Sequence, residues 1–443
     1  MAFDTDRRRN VFVLGLDEFH RRDLERIPDR DRFVFHRLLD AEEVIHTRDI
    51  DATLGHARRQ LHAFDGPIDA IIGYWDFPST AMVPLLCEEH ELPSASLEAV
   101  MKCAHKYWCR LEQQRHVPEL TPAFCAVDPF AAEPFDDVTI DFPFWIKPVC
   151  GYSSVLGFHI GKRADFDHAM GVARERIRQL GDPFNDVLAR VDTRAIGGVD
   201  GHHMIAEEML EGIELAPEGY VQHGQVHVHG IIDMVRAANR KSFHGYRYPS
   251  QHPRRLQQRT IAATRALLGG IGFDQSGFNV EFFWQRKADM LRVVEVNARV
   301  SQSHSNLMAK VDGMSNFEVA VHVGLGDPPH FVPGNGQFDV AAKFLYRIFE
   351  TADARCVASP GEHDLEKLAR VQPETLVRLR VNEGMRLSDT DEQDPYSWVL
   401  AELIIGGDSV GDINDKFEAA KRLLPFRFEA VTDARASKGK EPA

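Results

Sequence analysis

Short apolar runs alternate with helical stretches over the first hundred residues of the chain. The run 11–15 predicts a buried strand, 18–27 the helix that follows it, and 70–73 a second strand that leads into a turn at 76–78. Strands that alternate with helices are typical of a parallel α/β unit. A dinucleotide site would need a G-x-G-x-x-G motif after the first strand, and only Gly15 stands there. We therefore exclude NAD binding.

A helical pattern follows over residues 96–115, with Ser96 as its N-cap. Lys102, Lys106 and Arg110 are spaced four apart, which places them on one face of this helix. From the spacing alone, a solvated basic stripe is the favoured interpretation. Further along, the pattern predicts a strand over 142–148.

Two strands joined by a polar turn are predicted over 278–284 and 291–299. Alternation with a period of two gives each strand one polar face; on the first this face carries Asn279, Glu281 and Phe283, and on the second Val293, Glu295, Asn297 and Arg299. If the hairpin closes symmetrically about Ala288, Glu281 lies opposite Glu295, and Asn279 lies opposite Asn297. Facing carboxylates repel unless a cation neutralises them. A divalent cation with oxygen ligands is therefore favoured over the alternative, a solvated polar sheet face.

Composition narrows the functional classes. The 443 residues allow roughly three domains, and 52 basic against 67 acidic residues give a net charge of −15. Such a chain lacks the positive field of nucleic-acid binders, so no nucleic-acid partner is expected. No apolar run approaches the ~20 residues that span a bilayer, and no membrane partner is expected. Six cysteines without a C-x-x-C pair indicate a reduced, cytoplasmic setting.

The segment Val294-Glu295-Val296-Asn297-Ala298-Arg299, with Glu281 upstream, resembles the E-x-N-x-R signature of the ATP-grasp superfamily. The resemblance implies a mixed α/β and α+β architecture built on the ATP-grasp fold. Its parts would be an N-terminal Rossmann-like α/β domain (1–105), a two-lobed ATP-grasp domain (106–330, with the lid lobe at about 140–205) and a β-rich C-terminal α+β cap (331–432). A disordered tail would follow at 433–443.

The same resemblance assigns roles to individual residues. Lys106 and Lys147 would contact ATP, the latter at its α/β-phosphates, and the lid loop from Gly151, with the Ser153 and Ser154 hydroxyls, would cover the phosphates. Glu207 would accept a hydrogen bond from the adenine amino group, the backbone of Glu208 and Leu210 would bind the ring, and Glu214 would hold the ribose. The expected ligands of Mg²⁺, or alternatively Mn²⁺, are Glu281, Glu295 and Asn297.

The branches that the chain resembles are the biotin carboxylase-like proteins and the L-amino acid ligases. Arg299 is followed by Val-Ser-Gln-Ser-His and lacks the V-E-H triplet of biotin carboxylases, which argues against carboxylation of biotin. The resemblance thus implies a carboxylate–amine ligase acting through an acyl phosphate, with Lys147 and Arg299 as catalytic residues and amino acids among the candidate substrates. Biotin carboxylase-like or carboxylate–thiol activity, or a non-catalytic ATP-binding scaffold, are the alternatives. A homodimer is compatible with either branch.

Two further groups of residues carry weaker expectations. His223, His227 and His229 would share one strand face, for which an ordinary polar sheet surface is favoured over a metal site. The resemblance would place the basic and aromatic stretch 240–250 near the acceptor side of the cleft. His244, Tyr246 and Arg247 are therefore candidate substrate contacts, and plain loop packing is an equal alternative for them. His304 is a further candidate, as a base for the incoming amine, with a structural hydrogen bond as the favoured role.

Overall fold

Helices and strands follow one another throughout the chain. The structure, a computed structural model, describes residues 7–151, 155–239, 242–349, 352–390 and 396–431. Its strands are β1 (Arg9–Leu14), β2 (Phe33–Leu38), β3 (Ala70–Gly73), β4 (Phe124–Val127), β5 (Phe144–Pro148), β6 (Phe158–Ile160), β7 (Met204–Glu208), β8 (Ile213–Gln222), β9 (Gln225–Arg236), β10 (Phe243–Tyr248), β11 (Ser276–Gln285), β12 (Met290–Asn297), β13 (Val340–Ile348), β14 (Ala354–Ala358), β15 (Leu376–Leu379), β16 (Trp398–Gly407) and β17 (Arg427–Ala430).

The α-helices range in length from 5 residues in α2 to 18 residues in α9. They are α1 (Glu18–Leu24), α2 (Ala41–Ile45), α3 (Ile50–His62), α4 (Ser79–Glu89), α5 (Leu97–Ala104), α6 (Lys106–His116), α7 (Arg163–Arg176), α8 (Arg178–Leu188), α9 (Arg254–Ile271), α10 (Gln302–Asp312), α11 (Asn316–Gly324), α12 (Glu362–Val371) and α13 (Val410–Leu423). No helix in the described ranges is long and apolar enough to cross a membrane.

Two units divide the chain. The first has the limits Met1–His229, Pro253–Gln302 and Asn316–Phe331, and the second has the limits Gly230–His252, Ser303–Ser315 and Val332–Ala443. The domain boundaries expected from the sequence, near 105 and 330, stay predictions. The expected tail at 433–443 lies outside the described residues.

The first unit begins with a parallel sheet in the order β2-β1-β3, as the alternation of strands and helices predicts. Val11, Phe12, Val13 and Leu14 of β1 are all buried. Side chains on both faces of β1 are thus covered, which is the usual state of a parallel strand. The segment after β3, at the carboxyl edge of this sheet, carries Asp76.

A second sheet of the first unit is antiparallel, in the order β4-β7-β5-β6. β5 begins at Phe144 rather than at residue 142 because the proline at 143 has no N–H to donate to a ladder. Phe144 and Ile146 are buried against α7, and alternation brings Lys147 to the opposite face. Trp145 pairs with Glu207 of β7, so Lys147 and Glu207 are diagonal neighbours on that face.

The third sheet of the first unit contains β12, β11 and β8 in antiparallel order. His223 lies in the turn after β8 with a φ of 51°, so it does not share a strand face with His227 and His229 as predicted. The His227 ring stacks on Tyr220, with 4.7 Å between centroids, and the His229 ring stacks on Phe331 at 4.9 Å. These imidazoles pack against aromatic rings.

The second unit carries an antiparallel arrangement of β10, β13, β16 and β15, and a separate pair of β14 with β17. All ten residues of β16 are buried. Helix α13 packs on β13 and β16, where Phe417 stacks on Phe344 with 4.4 Å between ring centroids. The second unit therefore has its own hydrophobic core.

Candidate functional site

The hairpin of β11 and β12 places two glutamates opposite each other. Glu281 pairs with Glu295 and Asn279 pairs with Asn297, which is the pairing that closure about Ala288 predicts. Nearer the turn the register shifts by one residue, because Val294 is left without a partner in a β-bulge. Val293 therefore turns into the core and does not share the polar face of Glu295 as predicted.

An amide and a guanidinium complete this polar face. Asn297 Nδ2 lies 3.1 Å from Asn279 Oδ1 and 3.4 Å from Glu281 Oε1. Arg299 donates from Nε to Asp76 Oδ1 over 2.8 Å, and its Nη2 lies 3.4 Å from Asn297 Oδ1. Four polar side chains of one hairpin are thus joined to an aspartate that follows β3.

The charges on this face are unbalanced. Burial and, after it, the facing Glu295 carboxylate raise the pKa of Glu281 to about 8, although Arg299 acts in the opposite direction. Glu214 and Asp76 add further negative charge around it. The nearby acids stabilise the charged form of Arg299: burial alone would lower its pKa, but Asp76 and Glu281 raise it above the usual value. A cation bound between the two glutamates would remove the repulsion that this arrangement creates.

The donor set fits Mg²⁺ rather than a metal with an all-protein shell. No group of three or more histidine, cysteine, aspartate or glutamate side chains within the described ranges is placed to hold a metal. The hairpin offers two carboxylates and the amide oxygen of Asn297, and Mg²⁺ is commonly held by one or two carboxylates together with substrate phosphates. The residues present therefore fit a magnesium ion that arrives with a nucleotide.

Lys106 reaches the site because the predicted helix 96–115 is broken. Ser96 caps α5, as expected, by accepting from Ala99 N. The helix ends at Ala104, and His105 becomes the N-cap of α6: its Nδ1 accepts from Trp108 N, and its Nε2 lies 3.1 Å from Val199 O. Burial lowers the pKa of His105 to about 4, so this cap is a neutral imidazole.

As a consequence of the break, Lys102, Lys106 and Arg110 do not form one solvated stripe. Lys102 pairs with Glu98 on α5, and Arg110 is almost fully buried. Lys106 donates from Nζ to the carbonyl of Gly151 over 2.6 Å. Burial lowers the pKa of Lys106, and the Glu295 carboxylate partly opposes this effect. Lys106 thus lies within electrostatic reach of the hairpin glutamates.

Glu207 sits between two cations. Its Oε1 accepts from Arg110 Nε over 2.6 Å, and its Oε2 lies 2.9 Å from Lys147 Nζ. Burial alone would raise the pKa of Glu207, but Arg110 and Lys147 lower it to about 2. Arg110 also donates to Val293 O over 2.8 Å and so ties this network to β12. The predicted bond from Glu207 to an adenine amino group stays a prediction, and it would have to share the carboxylate with both cations.

The segment after β7 is the predicted adenine hinge. Glu208 pairs with Arg292 of β12 at 3.1 Å. Gly212 has a φ of +143°, and a Cβ there would lie 2.4 Å from Trp284 O. A glycine is therefore needed for the segment to pass so close to β11. Glu214 follows at the start of β8 and is buried, and Leu210 lies between Glu208 and Gly212. Their roles toward a nucleotide stay predictions.

The start of the lid loop is described, and its serines are not. Gly151 has a φ of +112° and directs its carbonyl at Lys106. The predicted phosphate contacts Ser153 and Ser154 lie outside the described residues. Cys150, beside the loop, is buried, and burial raises the pKa of its thiol to about 12, which agrees with a packing role.

The remaining candidate substrate contacts belong to the second unit. The Tyr246 and His304 rings lie edge to face with 4.9 Å between centroids, and Arg247 pairs with buried Asp233 at 3.0 Å. The His244 ring lies 5.4 Å from that of Phe344 in a T-shaped contact. Their contacts within this unit are thus known, and their role toward a substrate stays a prediction.

Three residues of the site were missed in the sequence. Asp76 follows a strand at the carboxyl edge of a parallel sheet, where ligand sites of α/β folds commonly lie, and this position is the only available signal. Arg110 stands one turn after Lys106, but its burial depends on the break at His105. Arg292 stands in a strand with no distinguishing pattern around it.

Comparison with known proteins identifies a domain of this chain and its fold. Residues 140–306 match the family model described as the ATP-grasp domain. An L-amino acid ligase from Bacillus licheniformis is similar over 96% of this chain and 100% of its own, with a TM-score of 0.71 and 16% identity. A biotin carboxylase from Campylobacter jejuni, in complex with β,γ-ATP, is similar over 94% and 92%, with a TM-score of 0.63 and 14% identity.

A carboxyaminoimidazole ribonucleotide synthase from Aspergillus clavatus, complexed with ATP, is similar over 94% of this chain and 98% of its own, with a TM-score of 0.64 and 14% identity. No curated protein matches the sequence. The chain carries an ATP-grasp domain, and its mixed α/β architecture is the ATP-grasp fold. Proteins with this fold include a carboxylase, a synthase and a synthetase whose crystal structures are complexes with ATP or ADP.

Proposed function

We propose that this chain is an ATP-dependent ligase that joins a small-molecule carboxylate to an amine and releases ADP and phosphate. The observation that carries the proposal is the pairing of Glu281 with Glu295 on a face that also holds Asn297 and Arg299. A protein that only stored or sensed a nucleotide would have no need for a guanidinium beside its metal-binding acids. This grouping is suited to phosphoryl transfer, which depends on positioning and charge neutralisation.

Each residue of the site then has a stated task. Glu281, Glu295 and Asn297 would hold Mg²⁺, and the ion would neutralise charge on the transferring phosphoryl group. Lys106 and Lys147 bring two ammonium groups to the nucleotide phosphates, and Glu207 fixes the position of the Lys147 ammonium. Arg299 binds the substrate carboxylate and stabilises the oxyanion that forms when the amine attacks.

The chemistry balances without a protein nucleophile. A carboxylate oxygen of the substrate attacks the γ-phosphorus of ATP, the bond to the β–γ bridging oxygen breaks, and ADP leaves. The amine nitrogen then attacks the carbonyl carbon of the acyl phosphate, loses a proton to a base, and inorganic phosphate departs. The products are an amide, ADP and phosphate. The fold shared with the L-amino acid ligase supports amino acids as candidates for both substrates.

The test is ADP release from Mg²⁺-ATP by the full chain, with a panel of carboxylates crossed against a panel of amines. We expect release only when both a carboxylate and an amine are present. Release that requires bicarbonate would support the biotin carboxylase-like alternative, and release that requires a thiol would support a carboxylate–thiol ligase. Tight ATP binding with no release for any pair would contradict the proposal and favour a non-catalytic ATP-binding protein.

A further inference from the structure

Arg299 and Asp76 form an ion pair in which some of the hydrogen-bonding atoms have no partner among the described residues. Arg299 Nε donates to Asp76 Oδ1 over 2.8 Å, and Nη2 makes a long contact of 3.4 Å with Asn297 Oδ1. Within the described ranges no hydrogen bond engages Arg299 Nη1 or Asp76 Oδ2. The pair thus keeps donors on the guanidinium and an acceptor on the carboxylate.

The two partners also differ in exposure. The side chain of Arg299 is 17% exposed and that of Asp76 is 40% exposed. Because Asp76 occupies the Nε edge, the guanidinium is oriented and its Nη groups are the part left for an incoming anion. A carboxylate is the anion that a guanidinium binds with matched hydrogen bonds.

The segment that carries Asp76 is held on both sides. Trp75 donates from Nε1 to Gly15 O over 2.8 Å, and the Phe77 ring packs 5.0 Å from the Phe184 ring, between centroids. Asp76 is therefore placed before any ligand arrives, which lowers the entropy that binding must overcome.

From this geometry we propose that Asp76 and Arg299 together recognise an α-amino acid as the carboxylate substrate: Arg299 binds its carboxylate and Asp76 Oδ2 binds its ammonium group. An α-amino acid carries both charges one carbon apart, and the ion pair presents the two complementary charges side by side. The inference rests on the proposed function, and it adds a residue for the substrate class, Asp76, from a part of the chain 223 residues away from Arg299.

The same ion pair disfavours the binding of a carboxylate that has no amino group. A simple carboxylate without an amino group would bring its negative charge toward Asp76 with nothing to offset the repulsion. Asp76 therefore selects for the zwitterion and against its des-amino counterpart, as a specificity device that combines attraction with repulsion.

The test measures equilibrium binding, by calorimetry, to the full chain with Mg²⁺ and a non-hydrolysable ATP analogue. The probes are the twenty common amino acids and, as matched pairs, alanine with propionate, leucine with 4-methylpentanoate and phenylalanine with 3-phenylpropionate. We expect at least one amino acid to bind about tenfold or more tightly than its des-amino counterpart, the difference that a hydrogen-bonded charge pair supplies.

Asp76→Asn tests the residue itself. It should weaken amino acid binding by about tenfold or more and leave the des-amino acid unchanged or slightly tighter. A merely structural role would weaken both members of a pair equally, and that result would overturn the inference. Asp51→Asn is the matched control, because Asp51 pairs with Arg190 in the same unit and is 73% exposed.

The inference and the proposed function fail in different ways. If no amino acid binds but another carboxylate supports ADP release, the ligase stands and the assignment of Asp76 is wrong. If an amino acid binds with the expected dependence on Asp76 but no amine ever yields ADP, the assignment of Asp76 stands and the ligase is wrong. Equal binding of both members of every pair also overturns the assignment of Asp76.

Discussion

Two glutamates of the first unit are held in opposite electrostatic settings. Glu207 is enclosed by Arg110 and Lys147, and these two cations lower its pKa to about 2. Glu281 faces Glu295 with Glu214 and Asp76 nearby, and burial together with these acids raises its pKa to about 8. The first carboxylate is charged and is neutralised by two cations of the protein, whereas the surroundings of the second favour its protonated form. The comparison separates a balanced ion-pair network from a pair of acids whose charge the protein leaves unbalanced.

The largest effect is expected for a change in the hairpin of β11 and β12, which should reduce activity without reducing stability. Glu295→Gln removes a proposed metal ligand, so ADP release should fall by about a thousandfold or more, which corresponds to several kcal/mol of lost charge stabilisation. The same change removes a facing like charge, so the melting temperature without nucleotide should stay equal or rise.

Both readouts have a control. Glu98→Gln changes an acid paired with Lys102 on the surface of α5 and should alter neither. Near-normal ADP release by Glu295→Gln would show that the metal assignment is wrong, and a large fall in melting temperature would show that the hairpin acids are structural.

At Glu207, in contrast to Glu295, we expect the substitution to reduce the stability of the fold. Glu207→Gln leaves Arg110 and Lys147 without their counter-charge, and breaking a buried pair in this way costs about 3–5 kcal/mol of unfolding free energy. Urea denaturation measures it. Glu208→Gln is the matched control, because the neighbouring pair with Arg292 is partly exposed and should be worth less than about 1 kcal/mol. Equal losses in the two variants would contradict the distinction drawn here.

A smaller effect on the unfolding free energy is expected when the pH is lowered. The pKa of Glu207 is lowered from 4.5 to about 2 in the folded chain, so its contribution to stability is present above pH 4.5 and is lost as the pH falls toward 2. The difference in unfolding free energy between wild type and Glu207→Gln should therefore be constant near neutral pH and shrink below pH 4.5. Urea denaturation at a series of pH values checks this, and a difference that grows on acidification would reverse the assigned sign.

The sequence predicted those parts of the site that depend on local periodicity. Alternation places Glu281 and Glu295 on polar faces, and closure about Ala288 predicts that they pair. The observed pairing also requires the bulge at Val294, which the sequence did not predict. Local pattern also predicts the parallel N-terminal sheet, because each strand and the helix after it are contiguous in the chain.

The parts that escaped prediction depend on long-range contacts. The helix break at His105 is stabilised through Val199, which is 94 residues away, so the helical pattern of 96–115 could not reveal it. The burial of Arg110 follows from that break and from Glu207, another distant residue. Asp76 pairs with Arg299 only because folding brings together two residues that are 223 positions apart in the chain.

The unpaired residue Val294 has a consequence for how this hairpin can vary. Between the turn and the bulge, the two strands pair in one register, which ends with Phe282 opposite Val293. Beyond the bulge they pair in a register shifted by one residue, which begins with Glu281 opposite Glu295. If the register next to the turn continued past Val293 without a bulge, Glu295 would face Val280 and its carboxylate would turn into the core. Since the two halves are aligned separately, the apolar half next to the turn can accumulate substitutions that change its packing without rotating the acids. We expect homologous chains to vary in the turn and to keep a bulge at this point.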